Sequence, residues 1–236
     1  MTNFKKIGLT ALAGTLAATV AQAGALSVSG TATMEYQSTK ATTTTAADTF
    51  GQNATITFSG SGELDNGNTV SMYQALSGGS LTSQAVTLDM GDMGAVSIAS
   101  ANLAGIGTIQ DMVPNGGEQP WDDLGTHGTP QQGVASPHSG NRLGYKTTAG
   151  GAIISAAVDY QQNSATTSMA IQLPNLVEGL NIGAGLATDQ SSATTEDDIE
   201  TMYIKYAMGA VSVGYQTTDV DVTAATSDIE RTSYGI

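Results

Sequence analysis

The 236 residues include no cysteine, so no disulfide framework holds the fold together. Basic residues are scarce: seven Lys and Arg stand against 21 Asp and Glu, a formal net charge of −14. Such a surface argues against nucleic acid and anionic membrane surfaces as partners. Aromatic residues make up only 5%, and 29 glycines with many Ser, Thr and Ala leave few bulky side chains for the interior of a soluble domain of this length. A sheet whose apolar face meets lipid needs far less internal core. Disorder is the alternative that this composition offers, and sustained apolar alternation weighs against it.

Long hydrophobic runs are also missing after residue 20. The chain starts with a basic stretch containing Lys5 and Lys6, continues through an uncharged apolar run at residues 7–20, and reaches the small-x-small sequence Ala21-Gln22-Ala23. This is the pattern of a secretory signal peptide over residues 1–23. Its apolar run is shorter than the roughly 20 residues that a spanning helix requires. The mature chain, residues 24–236, is expected to have no transmembrane helix.

What is present is period two. In residues 201–216, Met202, Ile204 and Tyr206 alternate with Tyr203 and Lys205, and after residues 207–210, Val211, Val213 and Tyr215 alternate with Ser212, Gly214 and Gln216. This predicts two strands and a tight turn. A loop with an even number of residues sets Tyr206 opposite Val211, Ile204 opposite Val213 and Met202 opposite Tyr215, with every large apolar side chain on one face. An odd loop would turn half of them over. The pattern recurs along the chain in twelve segments, among them Val28, Ala32, Met34 and Tyr36; Ile56 and Phe58; Val86 and Leu88; Ile154, Ala156 and Val158; and Ile182, Ala184 and Leu186. Asp65-Asn66-Gly67 suits a three-residue hairpin loop with Gly67 in the left-handed region, which places Val70 and Met72 on the face of Ile56 and Phe58.

Two regularities join the segments. Connections alternate in length: residues 37–51, 102–140, 187–199 and 217–229 are long, 77–83 and 161–167 intermediate, and 65–67, 91–94, 148–151, 174–179 and 207–210 short. Charges inside strands, namely Glu35, Glu63, Asp89, Arg142, Lys146, Asp159, Lys205 and Arg231, all fall on the polar face, while Glu200 and Glu230 have the other parity at strand ends. A soluble β-sandwich accounts for apolar alternation but does not demand alternating loop lengths. An all-β, transmembrane antiparallel up-and-down β-barrel demands both: turns at one end, loops at the other, an apolar outer band and a polar interior. Closure also removes the sheet edges that hydrocarbon cannot solvate.

The segments GELDNGNTVSMYQAL, LDMGDMGAVSIAS, SGNRLGYKT, VEGLNIGAGL and MYIKYAMGAVSVGYQTTD resemble the general diffusion porins of Gram-negative bacteria, particularly the alphaproteobacterial ones. The resemblance covers the leader and essentially the whole mature chain. It implies a water-filled outer-membrane channel for passive diffusion of small hydrophilic solutes, assembled as a homotrimer among outer-membrane lipid, with a third external loop folded inward to narrow the pore. Similar porins typically have about sixteen strands, so the twelve segments here, with a last one at residues 230–236 shorter than the roughly 9–11 residues of a spanning strand, point to a barrel incomplete at its C-terminus.

By position, residues 102–140 correspond to that constriction loop and carry Asp111, Glu118, Asp122 and Asp123; the resemblance implies a facing basic cluster, for which Arg142, Lys146, Lys205 and Arg231 have inward parity. Carboxylates at a water-filled constriction favour cations. Each of these residues is equally well read as a solvated lumen side chain. Glu196-Asp197-Asp198, and Asp219 with Asp221, offer oxygen ligands to Ca2+, although a solvated acidic loop is the commoner case. His127 and His138 lack zinc-ligand spacing, and Trp121 reads as a loop anchor. No nucleophile with its base, phosphate loop or dinucleotide fingerprint appears, so the chain is not expected to be an enzyme and no cofactor is assigned. A secreted or surface-attached β-rich adhesin or structural protein, using its Thr-rich loops for contact, is the alternative function.

Overall fold

The computed structural model of the protein describes residues 26–39, 47–114, 141–161, 164–192, 195–223 and 228–236. The described residues fall into two compact units, one within Met1–Asp89 and one within Met90–Ile236. The first holds β1 (Ser27–Thr39), β2 (Ala47–Glu63), β3 (Thr69–Ser77) and β4 (Ser80–Asp89), each antiparallel to the next. The second holds β5 (Ala95–Ala99), β6 (Arg142–Ala149), β7 (Ala152–Gln161), β8 (Ser164–Val177), β9 (Leu180–Ser192), β10 (Thr195–Met208), β11 (Val211–Val222) and β12 (Ile229–Gly235), again an antiparallel meander in chain order. The twelve expected strands are all present. Helical structure among the described residues is confined to two 3-10 turns, Gly91–Met93 and Gly105–Ile109.

The hairpin of β10 and β11 has the expected parity and a tighter turn. Met208 pairs with Val211 across Gly209-Ala210, so Tyr206 lies opposite Val213, Ile204 opposite Tyr215 and Tyr203 opposite Gln216. The four-residue loop expected at 207–210 is a two-residue turn, which moves every partner by two positions and leaves the faces unchanged. Those faces differ sharply in exposure: Met202 and Ile204 are 59% and 47% exposed, whereas Thr201 and Tyr203 are 4% and 5% exposed. Val28 and Ile56 in the first unit and Ile204 and Val213 in the second are all exposed. They do not form the dry interior of a sandwich; the apolar face is the outer one.

The turns at one end follow the sequence closely. Leu64 and Asn68 bond to each other around Asp65-Asn66-Gly67, with Gly67 at φ +82°, and Gly62 and Gly60 on the face of Phe58 pair with Val70 and Met72. At the other end, five of the expected connections are largely strand, 161–167 and 217–229 among them. Gln37, Ser38 and Thr39 pair with Thr49, Asp48 and Ala47 inside the range read as a loop at 37–51. The intermediate connection at 77–83 is a two-residue turn, Gly78-Gly79, both at positive φ as a tight hairpin turn of this kind requires. Its partner strand absorbs an irregularity beside Ala75, where the Thr82 hydroxyl donates to the Ala75 carbonyl at 3.1 Å. β9 runs to Ser192 and β10 starts at Thr195, within the expected loop 187–199. The turn read at 174–179 narrows to Glu178-Gly179, because β8 bulges between Leu173 and Val177 and then resumes.

These extensions share a cause. Apolar alternation marks a strand only where one face leaves water, and a ladder continued into water bonds equally well without that signature. The 14 residues of β10 exceed the roughly 9–11 that cross the hydrocarbon. Glu200, expected at a strand end, therefore sits inside β10, opposite Leu186 and Asp219. Asp198 pairs with Asp221 two positions further along. The outer face is apolar from Met202 to Met208 and acidic beyond it. Replacing Ile204 by Arg should cost about 2–4 kcal/mol of folding free energy in lipid vesicles, as for a basic residue deep in a bilayer, while Thr148→Lys on the opposite face of β6 should be near neutral; denaturant titration in vesicles checks both.

Candidate functional site

The polar face of the second unit carries a passenger. After β5, residues 100–114 leave the sheet and lie across the inner face of β6–β12, on the side opposite Ile204 and Met202. The traverse starts at Arg142, which is 4% exposed: one guanidinium nitrogen donates to the Asn102 carboxamide oxygen at 2.5 Å and another to the Ser100 carbonyl at 3.2 Å. The Asn102 amide in turn donates to the Gln110 side-chain oxygen, closing the stretch between them into a compact knuckle.

Inside the knuckle the 3-10 turn Gly105–Ile109 meets β7, β8 and β9. Ser155 donates its hydroxyl to the Gly105 carbonyl at 3.3 Å, the Ile106 amide donates to the Ser168 hydroxyl at 3.2 Å, and the Gln172 amide donates to the Thr108 hydroxyl at 3.2 Å. Ile106 and Ile109 are wholly buried among Ala170, Ala187, Ile199 and Tyr203, with Met112 and Val220 beside them. Burying an isoleucine contributes roughly 1.5–3 kcal/mol, enough to offset part of the cost of ordering a loop on a polar wall. The fit depends on small wall residues. A Cβ at Gly185 would stand 2.9 Å from both Ile106 Cγ1 and Ile109 Cδ1, and one at Gly144 would stand 2.6 Å from the Ala104 Cβ.

Further along, Gln216 of β11 holds the segment by its backbone: its amide nitrogen donates to the Ile109 carbonyl at 2.8 Å and its amide oxygen accepts from the Met112 N–H at 3.0 Å. Thr201 and Thr218 complete a buried polar cluster, their hydroxyls 2.9 Å apart, with Gln216 reaching the Thr201 hydroxyl at 3.3 Å. Val113 and Pro114 end the described stretch over Gly214 and Gly235, which pair across β11 and β12. Asp111 lines a recess of about 520 Å³ together with Lys205, Ser212, Val113 and Pro114.

The candidate residues therefore part ways. Asp111 and Lys205 share that recess. Arg142 lies beneath the segment and bonds to it. Lys146 is exposed on β6 between Ala95 and Ser155, and Arg231 is half-buried on β12 opposite Thr218. Glu118, Asp122 and Asp123, with His127, His138 and Trp121, lie outside the described residues. The two acidic stretches weighed for Ca2+ belong to strands and face each other: Asp197 accepts from the Thr223 N–H at 3.0 Å and Asp198 from the Thr188 hydroxyl at 3.1 Å. Among the described residues, no group of three or more His, Cys, Asp or Glu is placed to hold a metal ion.

Sequence reasoning missed the apolar knuckle and Gln216. The signal for the first was available: Ile106 and Ile109 are apolar residues inside a loop, and Gly144, Ala157, Ala170, Gly185 and Ala187 give the polar face a row of small side chains. Gln216 had none, since a glutamine on a polar face reads as solvated.

An antiparallel meander with an apolar outer face, a polar inner face and a loop laid along the inner side defines the class of outer-membrane β-barrel channels. A family model described as Gram-negative porin matches residues 8–236. The chain belongs to the Gram-negative porins, which makes it an outer-membrane β-barrel through which small solutes pass. No curated protein matches the chain. A solved structure described as "Asymmetric conductivity of engineered proteins" is similar at a TM-score of 0.49 and 13% identity, over 89% of this chain and 88% of that one.

Truncating the buried anchor tests the packing. Ile106→Ala should lower the free energy of local opening at residues 105–110 by about 2–5 kcal/mol, read as faster amide hydrogen exchange there, with exchange in β10 and β11 unchanged.

Proposed function

We propose that the protein is a passive, cation-preferring diffusion channel for small hydrophilic solutes, working as a homotrimer by size exclusion and electrostatic bias, without chemistry and without a bound cofactor. The observation that carries this reading is the placement of residues 100–114 on the inner face, which brings Asp111 to the same recess as Lys205. A segment laid across the lumen side narrows the path, and the charges on and around it set the field there.

The charge balance supports the cation preference. Seven basic residues against 21 acidic ones leave few cations for the lumen, and Arg142 is taken up by Asn102 and Ser100. Asp111 shares its recess with Lys205, the other inward cations are Lys146 and Arg231, and Glu118, Asp122 and Asp123 add to the acidic side of the balance by sequence.

Planar-bilayer recording under a salt gradient tests the reading. The wild-type protein should form ion-conducting channels whose reversal potential shows cation preference, and a metal chelator should leave the conductance unchanged. Asp122→Asn with Asp123→Asn, and separately Asp111→Asn, should move the reversal potential toward zero; unchanged potentials would contradict the role of these carboxylates.

A further inference from the structure

Gln216 is a polar side chain, 1% exposed, on a wall that otherwise accepts the segment through small residues, hydroxyls, Arg142 and Gln172. Both ends of its amide are engaged by the segment's backbone, at the Ile109 carbonyl and the Met112 N–H. These two attachment points bracket Asp111. The bonds are also far apart in the chain, separated by more than a hundred residues, so they fix the segment to β11 and not to its own flanks.

The two halves of the segment are held differently. Residues 104–109 are seated by apolar burial of Ile106 and Ile109 against β8 to β10. Residues 111–114 are held at the margin: Met112 packs beside that cluster only partly buried, and Val113, which is buried, and Pro114 rest over Gly214 and Gly235, where a Cβ would come within 2.4 Å of Pro114 Cδ and 2.1 Å of the Pro114 carbonyl oxygen respectively. Glycine permits this close approach to the wall, and the Gln216 amide supplies directional bonds that keep the backbone there.

We propose that Gln216 is a positioning residue that pins residues 109–112 flat against the wall and so keeps the lumen open. It does not touch the solute. With the clamp lost, this stretch swings into the lumen on the hinge left by the Ile109 seat, and a transmembrane field acts on it through the Asp111 carboxylate, so closures become frequent and voltage-dependent. The inference rests on the channel reading above.

The experiment is single-channel recording of the full-length protein in planar bilayers. Gln216→Leu, which fills the same space without directional bonds, should raise the ratio of closed to open time on the order of tenfold, the effect expected from losing two net hydrogen bonds on a two-state equilibrium. The open-state conductance and heat-modifiable migration should stay as in the wild type. Gln216→Asn, one methylene shorter and unable to span both partners, should do the same and serves if the leucine variant fails to insert. Because the chain contains no cysteine, Gln216→Cys combined with Met112→Cys gives a tether: closures at the wild-type level when oxidised, and raised on reduction. A closed fraction unchanged in the variants that insert, or unaffected by reducing the tether, overturns the proposal. A wild-type protein that forms no channels overturns the channel reading instead.

Discussion

Hydrocarbon offers no partner to a backbone N–H or C=O, so a chain that crosses it in strands must satisfy every such group sideways, in a neighbouring strand. The rest of this structure follows from that requirement. Consecutive antiparallel strands joined by tight turns meet it at the smallest entropic cost. A ladder of that kind sends alternate side chains to opposite faces, and the two faces then meet different solvents. Met202, Ile204 and Tyr206 go to one, Thr201, Tyr203 and Lys205 to the other. Neither a large hydrophobic core nor a disulfide is needed, which is why a chain with so many glycines and alanines forms long regular sheets.

The inner face uses its freedom from lipid in a second way. A wall of hydroxyls, glycines and alanines can be wet, or it can accept a piece of the chain's own backbone. Between β6 and β12 it does the latter. Arg142, Ser155, Ser168, Gln172 and Gln216 supply polar contacts to residues 100–112. Ile106 and Ile109 supply a small dry interior that the sheet alone does not possess. The loop is thus part of the fold's packing, and the buried Arg142 guanidinium is engaged in holding it.

How far the sequence reveals this depends on which solvent each residue meets. Strands were readable where apolar and polar side chains alternate, and the odd loop at Asp65-Asn66-Gly67 and the even one expected at 207–210 gave the right faces, although the second turn is two residues shorter. The same reasoning placed strand ends too early at 37–51 and 187–199, since Thr, Ser and Asp on both faces carry no periodic signal when both faces are in water. It also placed Glu200 at a strand end for that reason. An inward loop at residues 102–140 was implied only by the resemblance to porins; the described part of it, residues 102–114 with Asp111, lies on the inner face. Its anchors were not legible, because Arg142 and Gln216 are residue types that normally sit in water, and only the segment of residues 100–112 takes them out of it.

Environment mapping of β10 tests the two-solvent arrangement most directly. Single cysteines placed in turn at positions 202 to 206 of the otherwise cysteine-free chain, each carrying a spin label, are read for collision with a lipid-soluble and a water-soluble relaxation agent in vesicles. Labels at 202, 204 and 206 should collide with the lipid-soluble agent, and the label at 205 with the water-soluble one, with 203 shielded from both beneath the inward segment. Equal accessibility at odd and even positions, or lipid contact at 205, would contradict the account.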